Sequence, residues 1–223
     1  MFSFDEALDP RPLPRETGWE RQSDGSLLVC VRTDLRGVTG KMFDWWFGSR
    51  PGTREYRWWH PLDHQSSSWT GGERGAVVGS THVIIEDMTE LKGLPLRVQF
   101  VEPTSVLSAD AYHRAVADGN VSVAIAGRTA DGHDGAVDED GNLLGGRMLH
   151  LGRDTEWGMV LRSRFLIGSD LAETHSPTEI EKLIDEGIGP NLVQHCYEEF
   201  TYLSRVLPAI YAAESGAHLT RIW

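Results

Sequence analysis

Cysteine is scarce: Cys30 and Cys196 are the only two among 223 residues. Two thiols build neither the disulfide framework of a small secreted module nor a cysteine-rich metal site. Positive charge is also short, with 21 Lys and Arg against 33 Asp and Glu, a formal net charge of −12. An acidic chain of pI near 5.1 lacks the basic face that grips a phosphate backbone or an anionic lipid surface. Long apolar runs are missing too, since no stretch reaches the ~18 residues that a membrane span requires. The N-terminal MFSFDEALDPRP has neither a basic flank nor an apolar run, so it does not read as an export signal. These absences lead us to expect a cytoplasmic protein that acts on a small molecule, with neither nucleic acid nor membrane as partner. A homo-oligomer is compatible with all of them.

What is present suits one folded domain. Hydrophobic residues make up 40% and charged residues 24%, an ordinary globular balance, and a chain of this length fits a single core with a large sheet. Residues 1–24, rich in proline and charge, read as a leader on the surface, and 25–223 as one domain. Strand-like runs occupy 26–34, 75–87, 94–103 and 120–129, followed by LGGRMLHLGRD and WGMVLRSRFLIG. GKMFDWWFGS reads as a short helix capped by Thr39, and EYRWWHP as extended or irregular because Pro61 biases His60 away from helix. Residues 104–119 are ambiguous between helix and irregular structure. DGHDGAVDEDGN, 131–142, is an acidic glycine-rich loop without the ordered ligand spacing of an EF-hand. Ser176 and Glu179 form a capping box, and a long helix follows from near Pro190 to about Ser215. Strands first and a long helix last indicate an α+β fold, an antiparallel sheet gripping a C-terminal helix.

That last helix carries the chemistry. At 100° per residue, Leu192, His195, Leu203, Val206 and Ile210 all fall within about 40° of Glu199. An imidazole and a carboxylate therefore sit one turn apart on the face expected to be buried. Burial of a carboxylate costs several kcal/mol unless it is paired. The spacing allows a simple i, i+4 pair on a partly wet face, or chelation of one cation by both groups. Candidates for completing such a site are His60 and His64 in WWHPLDH, His82 and Glu86 in THVIIED, Glu102, and His150 in MLHLGRD. His82, Ile84 and Glu86 share one strand face by period two. Five of the eight tryptophans (Trp45, Trp46, Trp58, Trp59 and Trp69) fall close together beside these histidines, either as core or as the wall of a pocket for a flat ligand.

Taken together, DWWF, REYRWWHPLDH, GSTHVIIED, MLHLGRDTEWGMVLRSRFLIG and HCYEE resemble the 2,4-diacetylphloroglucinol hydrolase and phloretin hydrolase family over residues 42–203. The resemblance implies a Bet v 1-like (START-type) helix-grip fold and one zinc ion per chain held by two His and two Glu. It also implies retro-Claisen hydrolysis of the carbon–carbon bond between an acyl group and a polyhydroxylated aromatic ring, or of a related β-diketone. Carried over residue by residue, the zinc ligands are His64, Glu86, His195 and Glu199. His60 is the alternative to His64, and Glu102 the alternative to Glu86. His150 and Tyr56 become the catalytic groups, and Tyr56, Trp59, His150 and Phe165 face the aromatic ketone, with Trp58 beside Trp59. Phe165 stands where the family places a hydroxyl-bearing aromatic residue. Two other functions use the same scaffold: a non-catalytic carrier of aromatic or polyketide ligands, and a metal-free polyketide cyclase.

Overall fold

The computed structural model describes residues 2–132 and 136–216. Residues 133–135, inside the expected acidic loop, and 217–223, at the end of the expected domain, lie outside the described residues. The elements run β1 (Gly18–Arg21), β2 (Leu27–Arg36), α1 (Gly40–Ser49), α2 (Thr53–Trp59), β3 (His64–Gly71), β4 (Ser80–Met88) and β5 (Leu91–Val101). They continue with α3 (Ala109–Ala117), β6 (Val123–Asp131), β7 (Gly146–Thr155), β8 (Gly158–Ile167), α4 (Pro177–Leu183) and α5 (Ile188–Ser215). One sheet holds all eight strands in the order β1-β2-β8-β7-β6-β5-β4-β3, every neighbouring pair antiparallel.

The sheet wraps α5. Eight strands spaced by ~4.8 Å span roughly 33 Å when flat, whereas a helix is only about 10 Å wide. Yet α5 touches β1 and β2 at one end of the sheet and β4 near the other. The strands close around the helix in the expected helix-grip architecture. Among the described residues, no helix is long and apolar enough to cross a membrane.

The core lies inside the grip. Leu192, Cys196, Phe200, Leu203 and Leu207 form the buried stripe of α5, and they meet Val29, Leu161, Phe43, Trp46, Phe47 and Trp59. Each large side chain so buried contributes about 1.5–3 kcal/mol. A second cluster covers the outer face of the sheet. There Phe4, Ala7 and Leu8 from a 3-10 turn at Phe4–Leu8 pack with Leu107, Ala115, Leu149 and Leu151. The proline-rich N-terminal stretch is thus fastened down, and Gly18–Arg21 adds an edge strand to β2.

Local signals explain most of the elements. The Thr39 hydroxyl accepts from the Met42 amide, and Ser176 with Glu179 makes the capping box that starts α4. Two expectations are corrected and one left open is resolved. EYRWWHP is helical up to Trp59, with His60 extended at the helix end (φ −139°, ψ 99°), so the effect of Pro61 reaches only its immediate predecessor. Residues 109–117 form a helix. Residues 75–79 precede the strand, which begins at Ser80. β3, HQSSSWTG, has no sequence counterpart above: its polar residues are largely exposed because it is the edge strand.

Candidate metal centre

β3 and β4 deliver the first half of the site. His64 opens β3 and is the register partner of Glu86 on β4, while β4 alternates so that His82, Ile84 and Glu86 point inward. α5 crosses this corner and supplies His195 and Glu199 one turn apart, both buried. The four expected ligands therefore converge. His64 Nε2 lies 3.7 Å from Glu86 Oε2 and 3.8 Å from Glu199 Oε2, and His195 Nε2 lies 3.6 Å from Glu86 Oε1. Donor atoms of His64, His195 and Glu199 all fall within 4.8 Å of one another.

Hydrogen bonds around the cluster fix which ring atoms are free. His64 Nδ1 is 2.8 Å from the Tyr56 carbonyl oxygen, which accepts only, so Nδ1 carries the proton and Nε2 offers a lone pair. That Nε2 is buried and has no hydrogen-bond partner among the described residues. His60 is the reverse: its Nδ1 accepts the Asp63 amide, so its Nε2 bears the ring proton and points an N–H, not a lone pair, toward Asp63 and Glu198. His60, Asp63 and His195 also gather donor atoms closely; His60 Nε2 there has no hydrogen-bond partner among the described residues either, and with Nδ1 taking the Asp63 amide it turns an N–H toward Asp63 and Glu198 at 3.7 and 3.6 Å. His195 Nδ1 lies 3.1 Å from Asp63 Oδ2, which turns Nε2 into the cluster. Tyr56 stacks flat on His64, with ring centroids 3.6 Å apart, and its hydroxyl donates to Glu86 Oε2.

The electrostatics follow from burying this many charges together. Burial pushes the Glu199 carboxyl up to about 8 against the pull of His195, and it raises Glu86 as well. His195 is held up at about 9: burial lowers it, but Glu86, the hydrogen bond to Asp63 and Glu199 outweigh that. Burial and the nearby His195 charge hold His64 well below 6.5. Burial and the neighbouring Glu86 keep the Tyr56 phenol protonated. With Glu86 and Glu199 raised and His64 left neutral, the cluster offers a cation two imidazoles and two carboxylates.

The remaining expected residues are spread more widely. His150, on β7, sits among Phe43, Phe47, Phe165 and Phe200, the last with a centroid distance of 4.8 Å, and its Nδ1 is 2.8 Å from Ser163 Oγ. Phe165 on β8 is half-buried and meets His150 edge-on at 5.6 Å. Trp59 touches His64 at 5.3 Å and Phe200 at 5.6 Å, and so lies between the His/Glu cluster and His150. His82 is engaged elsewhere: Ser67 Oγ donates to Pro51, accepts from His82 Nε2 at 2.7 Å, and Trp69 stacks on the ring. Glu102 is exposed after β5, away from the cluster. Trp58 faces solvent under Arg54, so it does not flank a ligand beside Trp59. Asp63 is the residue the sequence reading passed over, although WHPLDH places it directly before His64.

The DAPG hydrolase PhiG domain family model matches residues 2–212. The chain belongs to that family. The match reaches well beyond the segment 42–203 and takes in most of the N-terminal stretch. Phloretin hydrolase of Eubacterium ramulus is 28% identical over 221 residues, covering 88% of this chain and 72% of the relative. A 2,4-diacetylphloroglucinol hydrolase from a Pseudomonas species is 27% identical, covering 92% and 73%, and that of Pseudomonas protegens is 27% identical, covering 92% and 70%. Among solved structures, protein Ms6760 from Mycobacterium smegmatis aligns with a TM-score of 0.46 at 10% identity, over 87% of this chain and 98% of that one. Norcoclaurine synthase from Thalictrum flavum aligns at 0.38 and 12%, over 81% and 97%. The chain spans about seven tenths of the length of these curated relatives; the structural neighbours are too distant to speak to its chemistry.

Proposed function

We propose that this chain is a zinc-dependent hydrolase that cleaves the carbon–carbon bond between an acyl group and a polyhydroxylated aromatic ring. The observation that carries the reading is the convergence of His64, Glu86, His195 and Glu199 on one buried point, with the His64 Nε2 lone pair unmatched among the described residues. Burial raises both carboxyls, a divalent cation would favour their ionised forms, and the donor set fits zinc. An apolar ligand carrier has no use for it. The names of the relatives supply the substrate class, acylated phloroglucinols and dihydrochalcone-like ketones.

A divalent ion bound there supplies Lewis acidity toward an oxygen of the substrate or of water. The protein's own groups do the rest. Asp63 holds the His195 ring, and Tyr56 holds both Glu86, through its hydroxyl, and the face of His64. Phe43, Phe47, Trp59 and Phe200 form a dry aromatic wall between the cluster and His150. In the reaction, one water adds across the acyl–ring bond: its oxygen goes to the acyl carbon as a carboxylic acid, and its proton to the ring carbon. A ring with several hydroxyls tautomerises at the acylated carbon, so the departing electron pair is an enolate rather than an aryl anion. We assign proton handling at the ring to His150, which enters as the neutral imidazole and so would take a proton from a ring hydroxyl and return it to ring carbon, a general acid–base contribution of roughly 10²–10⁴-fold.

The test is elemental analysis of protein purified without added metal, beside a His195→Ala, Glu199→Ala double variant. About one zinc per chain, lost in the variant, together with hydrolysis of an acylphloroglucinol by the wild type, is the expected result. Wild type that is metal-free and resists loading would remove the hydrolase reading.

A further inference from the structure

The tryptophans near the site divide by what their indole N–H groups do. Trp69 donates to the Pro51 carbonyl at 3.0 Å and stacks on His82. Trp46 and Trp59 are different: 1% and 5% exposed, they have no hydrogen-bond partner for Nε1 among the described residues. An indole nitrogen is a donor only, and a buried donor without an acceptor is unfavourable for the fold. A phenylalanine would fill most of the same space without that penalty, losing only the packing of the larger ring.

Their position gives the orphan donors a use. Trp46 meets Trp59 edge-on at 6.2 Å, and Trp59 meets His64 of the metal cluster at 5.3 Å and Phe200 at 5.6 Å. Phe200 in turn contacts His150 at 4.8 Å. The two unmatched donors therefore lie in the aromatic layer that joins the cluster to the proposed acid–base histidine. His64 Nε2, in the same layer, would be matched by the cation of the proposed centre; the two N–H groups are left for oxygen atoms.

We propose that the indole N–H groups of Trp59 and Trp46 donate hydrogen bonds to oxygens of a polyoxygenated aromatic substrate and so read its hydroxyl pattern. This rests on the hydrolase reading above and adds the specificity-determining residues to it. The aromatic bodies of both side chains pack the core, while the N–H groups act only when an oxygenated ring is bound. A ring lacking one of those oxygens leaves a donor unsatisfied and is rejected for that reason.

The experiment uses Trp59→Phe and Trp46→Phe, which keep an aromatic ring and delete the donor. Binding of 1,3,5-trihydroxybenzene and of phenol is measured calorimetrically on metal-loaded protein, with thermal melts of each variant. We expect each substitution to weaken the trihydroxylated ring by about tenfold and to leave phenol nearly unaffected, because the remaining indole still takes its single oxygen. Equal losses for both rings with a lowered Tm would show a packing role and overturn the inference. So would unchanged affinities. Wild type that binds zinc and cleaves acylphloroglucinols without discriminating the rings overturns this inference alone, whereas wild type that neither binds zinc nor any ring takes the hydrolase reading down with it.

Discussion

Asp63 and His195 are 132 positions apart in the chain, yet Asp63 Oδ2 lies 3.1 Å from His195 Nδ1. This contact sets the tautomer of a proposed metal ligand and aims its other nitrogen at the cluster. Asp63 is itself held by the Thr89 amide on its carboxylate, and its own carbonyl accepts the Asp87 amide. The segment HPLDH thus serves one centre twice, with His64 as ligand and Asp63 as the carboxylate behind the ligand from α5. Outer carboxylates of this kind commonly tune metal affinity 10–100-fold. Asp63→Asn should therefore retain the fold and lose roughly 10–100-fold in zinc affinity, read by competition with a chromophoric chelator. An unchanged affinity would show that the contact does not orient the ligand.

Glu199 offers a sharper separation of metal binding from folding. In metal-free protein its carboxyl is raised to about 8 by burial, above its unfolded value. A group raised in this way contributes stability that is complete at low pH and is lost as the pH climbs through 8. Glu199→Gln removes that liability. The variant should lose zinc and hydrolysis together, while metal-free melts at pH 8 and above match or exceed those of metal-free wild type. Full activity with zinc retained would remove Glu199 from the centre.

Two buried histidines outside the ligand set tilt the other way. His82 and His150 are both lowered to about 3 by burial, so they stay neutral in the fold and protonate on unfolding. Each contributes stability that is whole above the unfolded pKa of ~6.5 and is lost as the pH falls from there toward 3. At pH 5 the loss is about 2 kcal/mol per histidine. Because His195 and Glu199 slope oppositely, the total pH curve is a poor readout and the difference between variants a good one. The destabilisation measured for His82→Phe in urea should shrink by about 2 kcal/mol between pH 7.5 and pH 5. A penalty independent of pH would mean that His82 is solvated enough to titrate normally.

Which parts of this were legible in the sequence follows from the range of the interactions. His195 and Glu199 could be placed on the buried face of α5 because one helical period governs both. His82, Ile84 and Glu86 could be put on one strand face for the same reason. The caps at Thr39 and Ser176 are contained within four residues. β3 was not legible, because an edge strand of serines has neither alternation nor apolar content to announce it. α2 was obscured by Pro61, whose restriction ends at His60. Asp63 and the phenol of Tyr56 owe their roles to partners on other elements, His195 and Glu86, and no local pattern encodes such a meeting. The choice between His60 and His64 rests on which ring nitrogen meets an amide and which a carbonyl, a distinction that exists only once the chain is folded.

The N-terminal stretch makes the last prediction, since its composition reads as a leader but its contacts are those of a fastening. The Arg162 guanidinium on β8 is nearly buried, and every hydrogen bond it makes is to residues 7–16. It donates to the carbonyls of Ala7, Asp9 and Arg11, and to both carboxylate oxygens of Glu16 at 3.0 and 2.7 Å. Removing residues 1–16 strands that cation at the sheet surface without acceptors and uncovers the patch under Phe4 and Leu8. Breaking a buried, hydrogen-bonded ion pair from one side costs about 3–5 kcal/mol, and loss of the apolar cover adds to it. The truncated chain should therefore unfold at clearly lower urea than the full chain, with zinc stoichiometry retained wherever it remains folded, because no proposed ligand lies in the deleted part. A truncated protein with an unchanged urea midpoint would establish that the domain begins after the leader and that the Arg162 contacts contribute nothing to holding it.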